Sequence, residues 1–311
     1  YQFMTYSKYP ELDSMSYAYK PFPNLGEYQY LNLIHNIMNN GVKRGDRTGT
    51  GTRSIFGTQM KFDLEHSFPL LTTKRMFLRG IIEELLWFLQ GKTDAKILQD
   101  KRVKIWDGNS SREYLDSIGL TDNRDGDCGP IYGHNFRYYG AKYVNCDTDY
   151  QGQGYDQVKE CLRLIREEPN SRRIMINLWN PCDLDKVALP PCHVLYQFYV
   201  DGDYLSCSLY QRSGDVGLGV PFNIASASIM THIFAKLTGK RPKQLIHTLG
   251  DAHIYENHLE ALKPQLERIP HPYPILNVAD NGQACVEDFK YEDFCLEGYE
   301  CHPGIKMNMA V

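Results

Sequence analysis

The fold turns on one stretch: His193-Val194-Leu195-Tyr196-Gln197-Phe198-Tyr199-Val200, then Asp201-Gly202-Asp203, then Tyr204-Leu205-Ser206-Cys207-Ser208-Leu209-Tyr210. Two runs rich in aromatic and β-branched residues, joined through Asp201-Gly202, read as a β-hairpin. Gly214 to Asn223 is a glycine-rich passage that then enters a helix. Pro221 near the start and Gly239 after the end bracket a helix over residues 223–238, with Asn223 in the place of a cap. A hairpin feeding a long helix already excludes all-α and all-β architectures.

Upstream, Tyr155 to Glu168 is an amphipathic helix closed by Pro169-Asn170, which leads through Ser171-Arg172-Arg173 into a strand over residues 174–179. Phe77 to Gln90 is the clearest helix: Leu78, Ile81, Ile82, Leu85, Leu86 and Leu89 recur at the 3.6-residue period, and Gly91 stops it. At 100° per residue Glu84 falls beside Phe77, Ile81 and Phe88 while Glu83 turns the other way toward Trp87, so Glu84 is the one of the two expected to be partly buried. A helix over residues 27–38 ending at Asn40-Gly41 and a strand over residues 54–64 complete the pattern. The expected fold is α/β (α+β): a single domain with a large mixed β-sheet surrounded by helices. Residues 25–311 form the domain, since no linker or internal repeat divides them. Residues 1–24, rich in Tyr, Pro and Ser, read as an arm or leader, and Tyr1–Phe3 ahead of Met4 read as added residues or the cut end of a longer chain.

The 311 residues, 42% hydrophobic and 12% aromatic, exclude a disordered chain or a small stapled scaffold. A net charge of −4 argues against a protein that coats nucleic acid or anionic membrane, although a local basic cluster and RNA binding stay open. The two most apolar stretches, residues 77–89 and 220–237, are broken by Glu83 and Glu84 and by Asn223, Thr231, His232 and Lys236, too polar for a membrane span. The amino end lacks the pattern of a secretory signal. Nine cysteines without a C-x-x-C pair suit free thiols and a reducing compartment.

Among those thiols Cys192 stands apart, because Pro190 and Pro191 fix the backbone ahead of it at the entrance of a strand. An ordinary thiol, with a pKa of about 8.5, is only a few per cent thiolate at neutral pH. His193 is a poor base for its neighbour, since adjacent strand residues face opposite sides. No metal is expected: the histidines and cysteines lack paired ligand spacing. Arg47, in Asp46-Arg47-Thr48-Gly49-Thr50-Gly51-Thr52, and Arg212-Ser213-Gly214-Asp215 offer forked guanidinium donors for a phosphate, and Arg172-Arg173 do the same from a strand opening. Taken singly, each of these arginines also reads as a solvated surface charge. Gly49-x-Gly51 lacks the third glycine of a dinucleotide fingerprint. Asn223 presents one donor and one acceptor, enough to read a uracil-like edge, and His253 and Tyr255 place two hydrogen-bonding rings on one segment.

Taken together, Arg47 to Gly51, Glu83 to Phe88, Lys104-Ile105-Trp106-Asp107, Leu189 to His193, Gln211 to Ala225, His247 to Tyr255 and Met309-Ala310-Val311 resemble the thymidylate synthase family in order and wording. Ser117 to Cys128 and Tyr143 to Gly152 resemble the insertions of its eukaryotic-type members. Asn135 and Phe136 stand where the family usually has Gln and Trp. The resemblance implies the thymidylate synthase fold and reductive methylation of dUMP to dTMP by 5,10-methylenetetrahydrofolate, the donor of both the carbon and the hydride, with dihydrofolate released. It implies Cys192 as the nucleophile at C6 of the pyrimidine, with Glu84, Tyr132, Asn223, Arg212 and Asp215 in catalytic places. It assigns dUMP to Arg47, Arg212, Ser213, Asp215, Asn223, His253 and Tyr255, joined by Arg172 and Arg173 from the partner of a homodimer. It assigns the folate to Ile105, Trp106, Asn109, Asp215, Leu218, Gly219, Phe222, Tyr255, Met309, Ala310 and Val311, the tail closing over the ligands. A cytoplasmic enzyme without metal is implied. The rivals are a pyrimidine hydroxymethylase of the same fold, a cysteine hydrolase, and a non-catalytic nucleotide- or RNA-binding module. Asn223 counts against a dCMP-type hydroxymethylase, for which Asp would be expected there.

Overall fold

The computed structural model describes residues 24–46 and 48–308, so the expected arm up to Pro23, together with Arg47 and Met309 to Val311, lies outside the described residues. Helix α1 (Leu25–Asn40) starts where the Asn24 side chain accepts the Glu27 N–H and ends at Gly41. Strands β1 (Val42–Arg44) and β2 (Thr52–Asp63) lead to α2 (Leu78–Leu89) and four short helices: α3 (Lys96–Asp100), α4 (Asp107–Ser110), α5 (Arg112–Ser117) and α6 (Tyr132–Arg137). Then come α7 (Gln157–Glu167), β3 (Met175–Asn177), the hairpin β4 (His193–Asp201) and β5 (Tyr204–Asp215), α8 (Gly219–Leu237), β6 (Arg241–Tyr255), α9 (Leu259–Leu266), β7 (Ile275–Val278) and β8 (Phe294–Glu297).

Six strands form one sheet in the order β1-β2-β6-β5-β4-β3, while β7 and β8 pair separately. Every neighbouring pair in the large sheet is antiparallel except β5 and β6. A parallel pair needs a crossover, and α8 supplies it. The mixed sheet is the one expected, but three details differ. Strand β6 is absent from the sequence reading because Pro242, Gly250 and Asp251 obscure its alternation, although Leu245, His247 and Leu249 point inward at the period of two. Strand β5 extends to Asp215, so Arg212 and Ser213 lie on the sheet itself. Helix α8 begins at Gly219 with Leu218 as its cap, so Asn223 sits inside the helix and is not a cap.

Helix α8 is buried almost all round because it packs on β5 and β6 on one side and meets α2 on another. The inward residues Met60, Phe62, Tyr196, Phe198, Leu205, Leu209, Leu245 and Leu249 complete that core. A buried carboxylate fastens α1 to the next segment: Glu27 accepts the N–H and hydroxyl groups of both Thr72 and Thr73 at 2.7–3.0 Å. So many donors offset the cost of burying its charge. The opposite face of the sheet carries Gln59, Met175, Gln197, Tyr199 and Tyr210, all exposed in the single chain, Tyr199 by 70%.

Of the two acidic residues of α2, Glu84 is partly buried as expected, but the contrast with Glu83 is corrected. Glu83 is the more buried, 6% exposed, and its carboxylate is paired with Lys101 at 2.6 Å. Helical projection placed it away from the apolar flank, but Lys101, just beyond α3, comes back to cover it. Glu84 keeps some contact with water.

Candidate active site

Cys192 stands one residue before β4, where the hairpin register slips between His193 and Leu195. Its backbone is held from two sides. The N–H donates to the Tyr132 hydroxyl at 2.7 Å, and the carbonyl accepts the Arg212 N–H at 2.9 Å. The Arg212 guanidinium also reaches over the proline turn, donating to Pro191 O at 2.8 Å and Pro190 O at 3.0 Å, with the Trp179 ring 5.2 Å away. Two of its five N–H groups are thereby engaged, leaving donors for an anion near the thiol. The proline turn thus has a clear use: its φ-restricted backbone presents two carbonyls that tie the Arg212 guanidinium beside Cys192.

Glu84 lies on the α2 face toward this turn. It accepts a hydrogen bond from Trp106 Nε1 at 2.7 Å. Burial raises its pKa to about 7, against the Trp106 hydrogen bond, which favours the carboxylate. Tyr132 opens α6, with its ring packed on Phe88 at 4.7 Å and near Trp106 at 6.4 Å. Burial pushes its phenol well above the usual range. Asn135 donates to Pro130 O at 2.9 Å, two residues before Tyr132, and Phe136 packs against Tyr196 in the core. Of the two departures from the family pattern, Asn135 therefore supports the turn that carries Tyr132, and Phe136 fills the core beneath β4.

His193 is buried, its Nδ1 facing the Tyr196 hydroxyl at 2.8 Å, and burial lowers its pKa to about 4. It stays neutral near pH 7 and is an ill-placed base for Cys192, as the strand geometry implied. Beneath Asn223 runs a polar chain that sequence reading gave no role: Gln211 Nε2 donates to Asn223 Oδ1 at 2.9 Å and to Ser213 O at 2.9 Å, while Gln211 Oε1 meets His247 Nε2 at 2.8 Å. Gln211 and His247 are fully buried. The signal was available, since a glutamine continuing the inward series Leu205, Cys207, Leu209 is a polar group at a core position.

Asp215 ends β5 and turns the chain into α8, with Oδ1 accepting the N–H groups of Gly217 at 2.9 Å and Leu218 at 3.3 Å. Leu218, Gly219 and Phe222 follow on that entrance, partly exposed. Ile105, Trp106 and Asn109 come from the segment around α4 and stand beside Glu84 through Trp106. Two buried polar atoms there, Asp107 Oδ1 and Asn109 Nδ2, have no hydrogen-bond partner among the described residues, which suits a wall that receives a heterocycle with its own donors and acceptors. His253 and Tyr255 share one face of β6 with ring centroids 5.4 Å apart, and Asp251 Oδ1 fixes His253 Nδ1 at 3.1 Å.

Arg47 itself is outside the described residues, but its loop is organised by Asp46, which accepts the N–H groups of Thr48 at 3.0 Å and Gly51 at 2.8 Å. Gly49 and Gly51 have φ of 71° and 83°, which explains their glycines. Arg172 and Arg173 are exposed at the far edge of the sheet, before β3, and Gln197 of the uncovered face donates to Arg172 O at 3.4 Å. Among the described residues they do not join Arg212 in a hydrogen-bond network. All nine cysteines are free thiols. Among the described residues, Asp94, Cys146 and Asp147 are close enough to share a cation, but Arg124 already bonds both carboxylates at 2.7 Å. No helix among the described residues is long and apolar enough to cross a membrane.

A sequence model of the family described as thymidylate synthase matches residues 28–311. Human thymidylate synthase is 54% identical over 292 residues, covering 94% of this chain and 93% of the human protein. The thymidylate synthase of equine herpesvirus 2 is 55% identical over 285 residues, covering 92% and 98%. The bifunctional dihydrofolate reductase-thymidylate synthase of Paramecium tetraurelia is 55% identical over 92% of this chain, which spans 61% of that longer protein. With the family model matching residues 28–311 and relatives more than half identical over almost the whole chain, on top of the Cys192 turn and the α2 carboxylate, the chain belongs to the thymidylate synthase family, methyltransferases that use methylenetetrahydrofolate as co-substrate.

Proposed function

We propose that this chain methylates dUMP to dTMP, and that the residues above divide the work as follows. The Cys192 thiolate adds to C6 of the pyrimidine, which makes C5 nucleophilic toward the one-carbon unit. Methylenetetrahydrofolate supplies that unit and the hydride, leaving as dihydrofolate. Arg212 and Ser213, with Arg47, hold the phosphate of dUMP. Asn223, oriented by Gln211, reads O4 and N3 of uracil, while His253 and Tyr255 take the 3′-hydroxyl. Glu84 moves protons through ordered water, and Tyr132 assists at C5. Asp215, Leu218, Gly219, Phe222, Ile105, Trp106 and Asn109 form the folate side, joined by Tyr255 and the Met309 to Val311 segment. The observation that carries the reading is the joint fixation of the Cys192 backbone by Tyr132 and Arg212, beside a carboxyl whose pKa stands at about 7.

Incubation of the protein with dUMP and methylenetetrahydrofolate is expected to give dTMP and dihydrofolate in equal amounts, followed by chromatography and by absorbance. Formation of 5-hydroxymethyl-dUMP without dihydrofolate would point to the hydroxymethylase instead.

The site is read as shared across a homodimer, in the cytoplasm. Support comes from the exposed arginine pair beside a sheet face that carries Tyr199, Tyr210 and Met175 uncovered. An exposed pair at a sheet edge has little to do in one chain, whereas a twofold axis through that face would carry it to a second site. Arg172→Ala alone and Cys192→Ala alone should each be nearly inactive at limiting dUMP. Mixing and re-equilibrating the two should restore up to about one quarter of parental activity, because half of the dimers are mixed and half of their sites are intact. Activity that stays at the level of the separate variants would refute sharing.

A further inference from the structure

The carboxyl-terminal segment ends its described course at Asn308, where one contact stands out. His258, in the turn between β6 and α9, has a wholly buried side chain, and its Nε2 lies 2.7 Å from Asn308 O. A carbonyl only accepts, so Nε2 carries the proton. The other ring nitrogen, Nδ1, faces Asp215 Oδ1 at 3.8 Å, and the Tyr255 ring packs edge-on with centroids 5.6 Å apart. Gly217 makes this approach feasible: a Cβ there would stand 3.0 Å from His258 Nδ1, 3.3 Å from Asp215 Oδ1 and 3.4 Å from Met307 Sδ. The buried Lys74 ammonium donates to Gly217 O at 2.5 Å from the other side. Earlier in the same segment, Arg268 donates to Pro303 O at 2.8 Å, the His302 N–H donates to Thr72 O at 2.7 Å, and His302 Nε2 meets Ile269 O at 2.8 Å. Among the described residues His258 is the last in this row of fastenings, and together with Met307 it reaches the entrance of α8. Burial works against its imidazolium, but Asp215 and the Asn308 carbonyl outweigh it and raise the pKa above the ordinary histidine value.

We propose that His258 is a positioning residue that joins residues 302–308 to the Asp215 turn, so that this segment and the folate wall are held as one unit. The kinetic half of this idea rests on the folate reading of Asp215 and its neighbours, and the structural half does not. Three variants separate the contributions of the two nitrogens. His258→Gln keeps an amide donor at the reach of Nε2. His258→Asn, chemically its twin, reaches only as far as Nδ1 and loses the Asn308 contact. His258→Leu removes both.

Hydrogen exchange of the free protein is the first measurement. Amides of residues 302–308 are expected to exchange about tenfold faster in the Asn and Leu variants and near the parental rate in the Gln variant, with the α8 amides unchanged in all three. Equal acceleration of tail and α8 amides, or no difference between Gln and Asn, overturns the proposal. In turnover, the Asn and Leu variants should raise KM for methylenetetrahydrofolate about tenfold while the Kd for dUMP stays within about twofold; a parental folate KM in both overturns the coupling. If the parent makes no dTMP, the proposed activity falls, and exchange still decides the fastening.

Discussion

Cys192→Ala is expected to lower turnover by about 10⁴-fold or more while the protein still binds dUMP with near-parental affinity. Removing a covalent nucleophile eliminates the path it opens, and what remains is the slow reaction that binding and electrostatics support. Binding should survive because the groups assigned to the phosphate and the base are other side chains. Arg212, moreover, is held by the Pro190 and Pro191 carbonyls and the Cys192 backbone, none of which the substitution removes. The other thiols serve as controls. Cys128, Cys161 and Cys207 are buried, and burial pushes all three upward, Cys207 to about 12, so they are inert at neutral pH. Cys285→Ser, at an exposed position far along the chain, should leave turnover unchanged. Equilibrium dialysis with labelled dUMP and a product assay measure both halves of the claim. Turnover of Cys192→Ala above a few per cent of parental would remove the nucleophile from the scheme and favour a binding module whose thiol is incidental.

How far the residues themselves announced this site depends on where the signal lies. Cys192 and its prolines were legible because backbone restriction is local, and the α2 helix because its apolar period is strong. The sheet was expected but not its order, since strand order is set by long-range pairing that no window contains. Strand β6 was missed although it lies between β2 and β5 and carries His247, His253 and Tyr255. Its alternation is blurred, because inward His247 is polar while outward Ile246 is apolar, and Gly250 interrupts it where a Cβ would stand 2.7 Å from Arg212 O. Glu83 was misjudged for a related reason: projection on a helix knows nothing of Lys101. The chain from Asn223 through Gln211 to His247 is tertiary in origin, as three residues from α8, β5 and β6 meet only after folding. The motif strings compensated for much of this, because a family's wording stores tertiary contacts that periodicity cannot express.

Glu84 provides the sharpest test of site chemistry, because one property should appear in both rate and stability. Glu84→Gln keeps the shape and can still accept from Trp106 Nε1, but it cannot exchange a proton. Losing a positioned acid–base group lowers kcat by about 10²–10⁴-fold. With a pKa of about 7 in the folded chain against 4.5 unfolded, the carboxyl binds more protons in the native state between those values. Stability of the parent therefore falls as pH rises from 4.5 to 7 and levels off above it. The amide has no such penalty, so the variant should be more stable than the parent at pH 8 by about 1–3 kcal/mol, a gain that vanishes near pH 4. Urea titrations at the two pH values measure the difference directly. In kcat against pH, the parent should show an inflection near 7 that Glu84→Gln lacks. Trp106→Phe should move that inflection upward, because the hydrogen bond it removes is the one that favours the carboxylate. A Gln variant that is slow yet no more stable at pH 8 would mean that the carboxyl is well solvated in the folded state, and the proton transfers would then need another group.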